Sequence, residues 1–223
     1  MIAESELILN HDGSIYHLHL APEQIAENVI VVGDPDRVQQ VSKLFSRIEC
    51  KASNREFVTH TGIFQGKRIT VLSTGIGTDN IDIVINELDA LVNIDLAKRE
   101  VKAQKKKLNI IRIGTSGSLQ PDVPADSFVV SSHGLGFDGL LNYYGDLDLI
   151  NENELSEAFI KHTDWNKRLP YPYIVKGSTE LCRRIGKGLT SGITATAPGF
   201  YGPQGRELRI PAAVKNLNEL LTT

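Results

Sequence analysis

The sequence predicts an α/β protein of three layers, in which helices sandwich a mixed central sheet within one domain spanning residues 1–223. Three observations predict it. Short all-apolar runs closed by glycine, Val29–Val32 before Gly33 and Leu108–Ile113 before Gly114, read as strands buried on both faces. Segments with apolar residues at helical spacing alternate with those strands. Phe57–Phe64 and Arg68–Ser73 flank Gly66-Lys67 as an antiparallel hairpin would. A chain of 223 residues with 41% hydrophobic and 23% charged residues can bury such a core.

Taken in order, Asp34-Pro35-Asp36 makes a turn and helix start, and Val38, Val41, Leu44 and Phe45 then recur at helical spacing. After Gly75-Ile76-Gly77, Asp79 is placed to cap a helix whose apolar stripe is Ile81, Val84, Ile85, Leu88, Leu91 and Val92. The charged stretch Lys98–Lys107 follows, its Lys102–Lys107 cluster reading as a solvated helix face. A further strand is expected at Asp126–Ser131, and Thr190–Ala197 is the segment that leads into the last loop. Helices are expected at Leu155–His162 and at Ser178–Lys187, the latter capped by Ser178 and closed by Gly188. A Gly/Pro-rich loop, Pro198–Gly205, comes last.

Composition excludes several classes. A net charge of -3 argues against a general nucleic-acid binder. No run of 18 apolar residues spans a membrane, and the start lacks a basic and apolar leader. Cys50 and Cys182 form neither a disulfide framework nor a metal cluster, which favours a reducing, cytoplasmic setting. Gly75-Ile76-Gly77 lacks the third glycine of a dinucleotide fingerprint, which weighs against an NAD-dependent oxidoreductase.

Ligands of open α/β sheets bind at the carboxyl ends of strands. Three expected strands end in Gly33–Arg37, Gly75–Thr78 and Arg112–Thr115, placing Arg37, Arg112, Thr115 and free backbone N–H groups on one rim. Such a set suits a tetrahedral oxyanion. Ordinary readings stand beside these: Arg37 as a surface ion-pair partner, Arg55 as half of a strand-surface pair with Glu56, His17 as a surface histidine, Phe200 as a core aromatic. Arg112, inside the apolar run IIRIG, has the least room for one, since an unpaired guanidinium in a buried strand is costly.

Gly33–Arg37, Arg55–Phe57, Ser73–Gly77 and Arg112–Thr115 together resemble, in order and spacing, the hexameric uridine phosphorylases of the nucleoside phosphorylase family. The resemblance runs from about Tyr16 to about Arg206. It implies a phosphorylase fold, assembly as a ring of dimers, and small-molecule substrates: a nucleoside, with inorganic phosphate as co-substrate and no organic cofactor. By the same resemblance Gly33, Arg37, Arg112 and Thr115 hold phosphate, and Arg55 reaches it from a neighbouring subunit. His17 crosses the dimer interface to the ribose 5′-hydroxyl, and Thr115 also touches the sugar. Phe200, Gln204 and Arg206 stack on and hydrogen-bond uracil. Glu56 matches a position that binds potassium between subunits in some relatives, with Asn80 standing where a hydroxyl residue usually accompanies it.

The implied chemistry needs these residue types. Phosphorolysis passes through an oxocarbenium-like sugar, as glycoside cleavage does. Arg37 and Arg112 aim and neutralise the attacking phosphate. Arg206 meets the charge developing on the departing uracil, while Gln204 both donates and accepts. A purine site in this superfamily would place an acid near the ring nitrogen, which this loop does not offer, so a purine nucleoside phosphorylase is only the lesser alternative. The family continues with a strand, a Met-Glu pair that holds the ribose 2′- and 3′-hydroxyls, and a closing helix. This sequence stops at Thr223 and its only methionine is Met1. The expectation is an incompletely represented version of a longer enzyme, with a non-catalytic nucleoside- or phosphate-binding protein as the alternative.

Overall fold

The computed structural model describes residues 1–222; Thr223, where the sequence stops, lies outside the described residues. The chain forms two compact units, Met1–Thr115 and Ser116–Thr223.

The first unit is built on a five-stranded sheet. In chain order its elements are β1 (Asn28–Val32), α1 (Pro35–Ser42), β2 (Arg47–Asn54), β3 (Phe57–Phe64), β4 (Lys67–Ser73), α2 (Thr78–Asn93), the two-residue strands β5 (Ile94–Asp95) and β6 (Glu100–Val101), and β7 (Asn109–Ile113). The sheet order is β2-β3-β4-β1-β7; β4, β1 and β7 are parallel, while β2, β3 and β4 pair antiparallel. The sheet is mixed, as expected.

Strand alternation sorts the core into two layers. Val29, Val31 and Leu72 pack with Val84, Leu88 and Leu91 of α2, together with Ile15, Leu18 and Leu20 from the N-terminal segment. Ile30, Val32 and Val71 face the other way, against Val38 and Val41 of α1. A helix therefore covers each face, and β1 reads as a continuous apolar run because both its faces are buried, whereas β7 at the end of this sheet is partly exposed. Each fully buried Leu or Val contributes roughly 1.5–3 kcal/mol over exposure.

Several local expectations are corrected. Asp79 is not the cap of α2: Gly77, at φ +110°, holds that position and Thr78 is the first helical residue. Ile85 is 42% exposed, because it sits about 100° around the helix from Val84 and falls off the apolar stripe. Leu44 and Phe45 lie beyond the end of α1, and Leu44 is exposed. Lys102–Lys107 is not a helix face. The chain leaves α2 for the β5–β6 ribbon, then runs extended, with Asn93 holding the Lys106 backbone through its Oδ1 (2.7 Å) and Nδ2 (3.2 Å).

The second unit contains β8 (Val129–Gly136), α3 (Leu147–Ile150), α4 (Asn153–Thr163), β9 (Tyr173–Lys176), α5 (Thr179–Ile185), β10 (Thr190–Thr196) and α6 (Leu217–Leu220). Its sheet runs β10-β8-β9, parallel then antiparallel. Its core joins Leu135, Phe137, Ile174 and Leu217, flanked by Phe159 and Trp165, whose rings lie 5.6 and 5.0 Å from that of Phe137. Ser178 caps α5 as expected, accepting from the Leu181 amide, but the helix closes at Gly186 rather than Gly188. The expected strand at Asp126 starts only at Val129, since Asp126 has φ +65° and turns the chain. Among the described residues, no helix is long and apolar enough to cross a membrane.

Candidate active site

Strand register builds the site in the first unit. Val32 of β1 lies opposite both Ser73 of β4 and Ile113 of β7, so three parallel strands end level. Their exits, Gly33–Arg37, Thr74–Thr78 and Gly114–Thr115, leave from one rim. The Thr74 amide closes the join by donating to the Val32 carbonyl at 2.8 Å. β3 runs antiparallel to β4, which brings the Arg55-Glu56 turn before it back to the same rim. Ser73 fixes that turn: its hydroxyl donates to the Glu56 carbonyl at 2.5 Å and accepts from the Val58 amide at 2.8 Å.

The rim is electrostatically suited to an anion. α1 and α2 both start on it, and helix N-termini present unpaired N–H groups and a positive dipole end. Asp34 caps α1 by accepting from the Asp36 amide, whereas Gly77 brings no side chain to the first turn of α2. Arg37 stands half-buried in the first turn of α1. Arg112 differs from expectation. Within this unit β7 is the end strand, so Arg112 is exposed rather than enclosed, and its guanidinium folds back against Gly114. Neither arginine has an ion-pair partner among the described residues. Thr115 is exposed at the end of the unit.

Gly75 is required at its position. It sits at φ +68°, and an added β-carbon would lie 2.6 Å from Asn80 Nδ2 and 2.8 Å from Glu56 Cγ. The same crowding brings Glu56 and Asn80 to one glycine from two different elements. Asn80 Nδ2 donates to the Ile76 carbonyl at 3.2 Å, which turns the amide nitrogen inward.

His17 is held by residues the sequence reading did not single out. Its Nδ1 lies 2.6 Å from Glu87 Oε1 of α2; the His17 and Leu18 amides donate to the same carboxylate at 3.0 and 2.8 Å. Asn54, the last residue of β2, donates to the His17 carbonyl at 2.8 Å. The next residue, Arg55, turns the chain at φ +54° and sets its guanidinium 6.0 Å from the centre of the Tyr16 ring. His17 and Arg55 therefore belong to one knot. The available signal was Glu87 itself, a carboxylate on the flank of an apolar stripe, where a partner is expected.

In the second unit the loop after β10 draws its three expected residues together. Gly202–Gln204 forms one 3-10 turn, closed by Gly205 at φ +71°, and the Arg206 amide returns to the Tyr201 carbonyl at 3.0 Å. Arg206 then stacks on Phe200, its Cζ 4.2 Å from the ring centre, and donates both to the Phe200 carbonyl at 2.9 Å and to Gln204 Oε1. Phe200 is 60% exposed in this unit, so it is no core aromatic here. With Oε1 accepting from Arg206, the Gln204 amide keeps its N–H groups as donors.

Comparison with known proteins agrees with this architecture. A nucleoside phosphorylase of Trypanosoma brucei, whose crystal structure is described as showing uridine phosphorylase activity, superposes with a TM-score of 0.86. It is 30% identical, over 97% of this chain and 77% of its own. The uridine phosphorylase of Thermococcus kodakarensis is 28% identical over 197 residues, 87% of this chain. A DeoD-type purine nucleoside phosphorylase of Thermoanaerobacter is 33% identical over 116 residues, 52% of this chain. The chain spans 59% of the length of the first of these curated relatives and 44% of the second. The family description "Phosphorylase superfamily" matches residues 27–220, and with that span and this fold the chain belongs to the phosphorylase superfamily.

Proposed function

We propose that the chain carries out phosphorolysis of uridine, or of a closely related pyrimidine nucleoside, to uracil and ribose 1-phosphate. The observation that carries this reading is the level ending of β1, β4 and β7, which puts Arg37 and Arg112 on a rim with two helix N-termini. In the reaction phosphate attacks C1′ of the sugar, the C1′–N1 bond breaks, and its electrons leave with uracil. The Gly33 loop, Arg37, Arg112 and Thr115 bind and orient the phosphate, so no protein carboxylate has to act as nucleophile. Phe200 offers a face to the base, while Arg206 and Gln204 donate to oxygens that gain charge as the bond breaks. His17 takes the ribose 5′-hydroxyl and Thr115 a second contact to the sugar.

The same reading includes a homo-oligomer, a dimer-based hexamer, in which His17 and Arg55 serve a neighbour's site. Their shared knot at Asn54, Tyr16 and Glu87 supports their acting together. The convergence of Glu56 and Asn80 on Gly75 supports a potassium site in which oxygens of those two side chains would hold the ion. The two free cysteines favour a reducing, cytoplasmic setting.

Incubation with uridine, with and without phosphate, tests the activity. Uracil release that requires phosphate supports it. Phosphate-independent release indicates a hydrolase, and turnover of inosine but not uridine indicates a purine enzyme. A second reading, a binding protein without turnover, predicts thermal stabilisation by phosphate or uracil with no product.

A further inference from the structure

The Glu87 carboxylate receives three N–H donors from two consecutive residues: the His17 ring, the His17 amide and the Leu18 amide. It projects from a 16-residue helix, on the flank of the stripe that Val84, Leu88 and Leu91 lock into the core, and its own side chain is only 12% exposed. Such a group has little freedom to follow the imidazole; the imidazole must follow it. A carboxylate only accepts, so the hydrogen at Nδ1 is the one it holds. The neutral ring is left with an Nε2 lone pair facing away from Glu87. The ring plane is fixed further by edge contacts to Tyr16 at 4.8 Å and Phe57 at 6.5 Å, and the backbone by Asn54.

We propose that Glu87 is a positioning residue for His17: it sets the ring's tautomer and aim so that Nε2 is presented as the acceptor for a substrate hydroxyl. This rests on the sugar role given to His17 above. Glu87 does not touch substrate; it acts through the ring, as a carboxylate does when it orients a histidine whose other nitrogen carries the function. A hydroxyl that donates to Nε2 keeps its own lone pairs free, whereas the opposite tautomer would present a donor and demand the reverse geometry.

Nitrogen-15 spectra of labelled histidines in the full chain, assigned with His17→Asn, test the link without relying on turnover. The expected wild-type pattern near pH 8 is a protonated Nδ1 and an acceptor Nε2 at His17. Glu87→Ala is expected to average or reverse that pattern while the other histidines stay put. A wild-type Nε2–H tautomer, or an unchanged His17 signal in Glu87→Ala, overturns the proposal; the wild-type spectrum decides alone if the variant does not fold. Kinetics with uridine and 5′-deoxyuridine separate this from the functional reading. His17→Ala is expected to cut the preference for uridine about tenfold, the ordinary worth of one such hydrogen bond. Glu87→Ala is expected to do the same, with the double variant no worse than His17→Ala alone. If His17→Ala leaves the preference intact, the sugar role falls while the spectrum still judges Glu87. If His17→Ala lowers the preference and Glu87→Ala slows both substrates equally, the positioning role falls.

Discussion

Arg206 lies flat on Phe200, with its guanidinium carbon 4.2 Å from the ring centre, and at the same time donates to the Phe200 carbonyl and to Gln204. Three residues separated by a Gly/Pro turn thus form a single preassembled group. The cation–π contact and the hydrogen bonds hold the guanidinium in place before any base arrives. Arg206→Ala is expected to lower kcat on uridine by about 10²–10³, the scale for losing a donor to a developing anion. Phosphate affinity, followed by thermal shift, should hardly change. Equal losses in both would contradict the division of roles.

Arg37→Ala should act in the opposite sense. Removing a charge-assisted donor costs about 1.5–3 kcal/mol, or roughly 10- to 100-fold in phosphate affinity. Because the side chain is half-buried and makes no ion pair among the described residues, folding stability should move little. Titration with inorganic phosphate by calorimetry, beside a urea melt, distinguishes a ligand residue from a structural one.

His60 gives a pH dependence with a definite sign. It is buried in β3, bonded through Nδ1 to the Ser42 hydroxyl of α1 at 2.7 Å. Burial, assisted by the nearby Lys51 charge, holds its pKa below the ordinary 6.5. The folded state therefore binds a proton less readily than the unfolded chain. The stabilisation is complete above pH 6.5 and is lost as pH falls from there through the depressed value. Urea midpoints should decline between pH 7.5 and 5.5, and His60→Gln should flatten that decline; an unchanged slope in the variant would assign it to other groups.

Gly136 and Tyr173 face each other across β8 and β9, and the phenol ring occupies the space where a β-carbon on Gly136 would stand. The Tyr173 hydroxyl donates to Asp138 at 2.7 Å, and burial with that carboxylate raises its pKa. Gly136→Ala must displace the ring and cost about 1–3 kcal/mol. The loss should appear as a lower unfolding midpoint, and as earlier ionisation of one tyrosine in an alkaline absorbance titration.

Legibility in the sequence followed the chemistry of each segment. β1 and β7 stood out as short apolar runs closed by glycine, although only β1 is buried on both faces, and the β3–β4 hairpin stood out by its Gly66-Lys67 turn. β2 did not, since its side chains are mostly exposed and its sequence, RIECKASN, lacks an apolar face. β9 was missed because four residues are too few to show a period. The stop of α1 after Ser42 and the cap of α2 at Gly77 both escape the side-chain pattern, since backbone geometry and hydrogen bonding set helix ends more than apolar spacing does. The rim residues could be named from motifs, and strand register explains why they meet. What no motif carried was the support behind them. Glu87, Asn54 and Ser73 act through a few hydrogen bonds each, between segments up to 70 residues apart. Distance in sequence hides such pairs until the chain is folded.

Asn54 deserves a last consequence. By holding the His17 carbonyl and leading directly into Arg55, it makes one rigid lever of two residues that the proposed assembly lends to a neighbour. Subunits built this way exchange a sugar contact and a phosphate contact as an inseparable parcel. Dissociation would strip both from a site in one event, so activity should vanish with dilution along a single curve rather than in two stages. Any small molecule that wedges between Asn54 and His17 would silence the adjoining subunit while leaving its own rim intact.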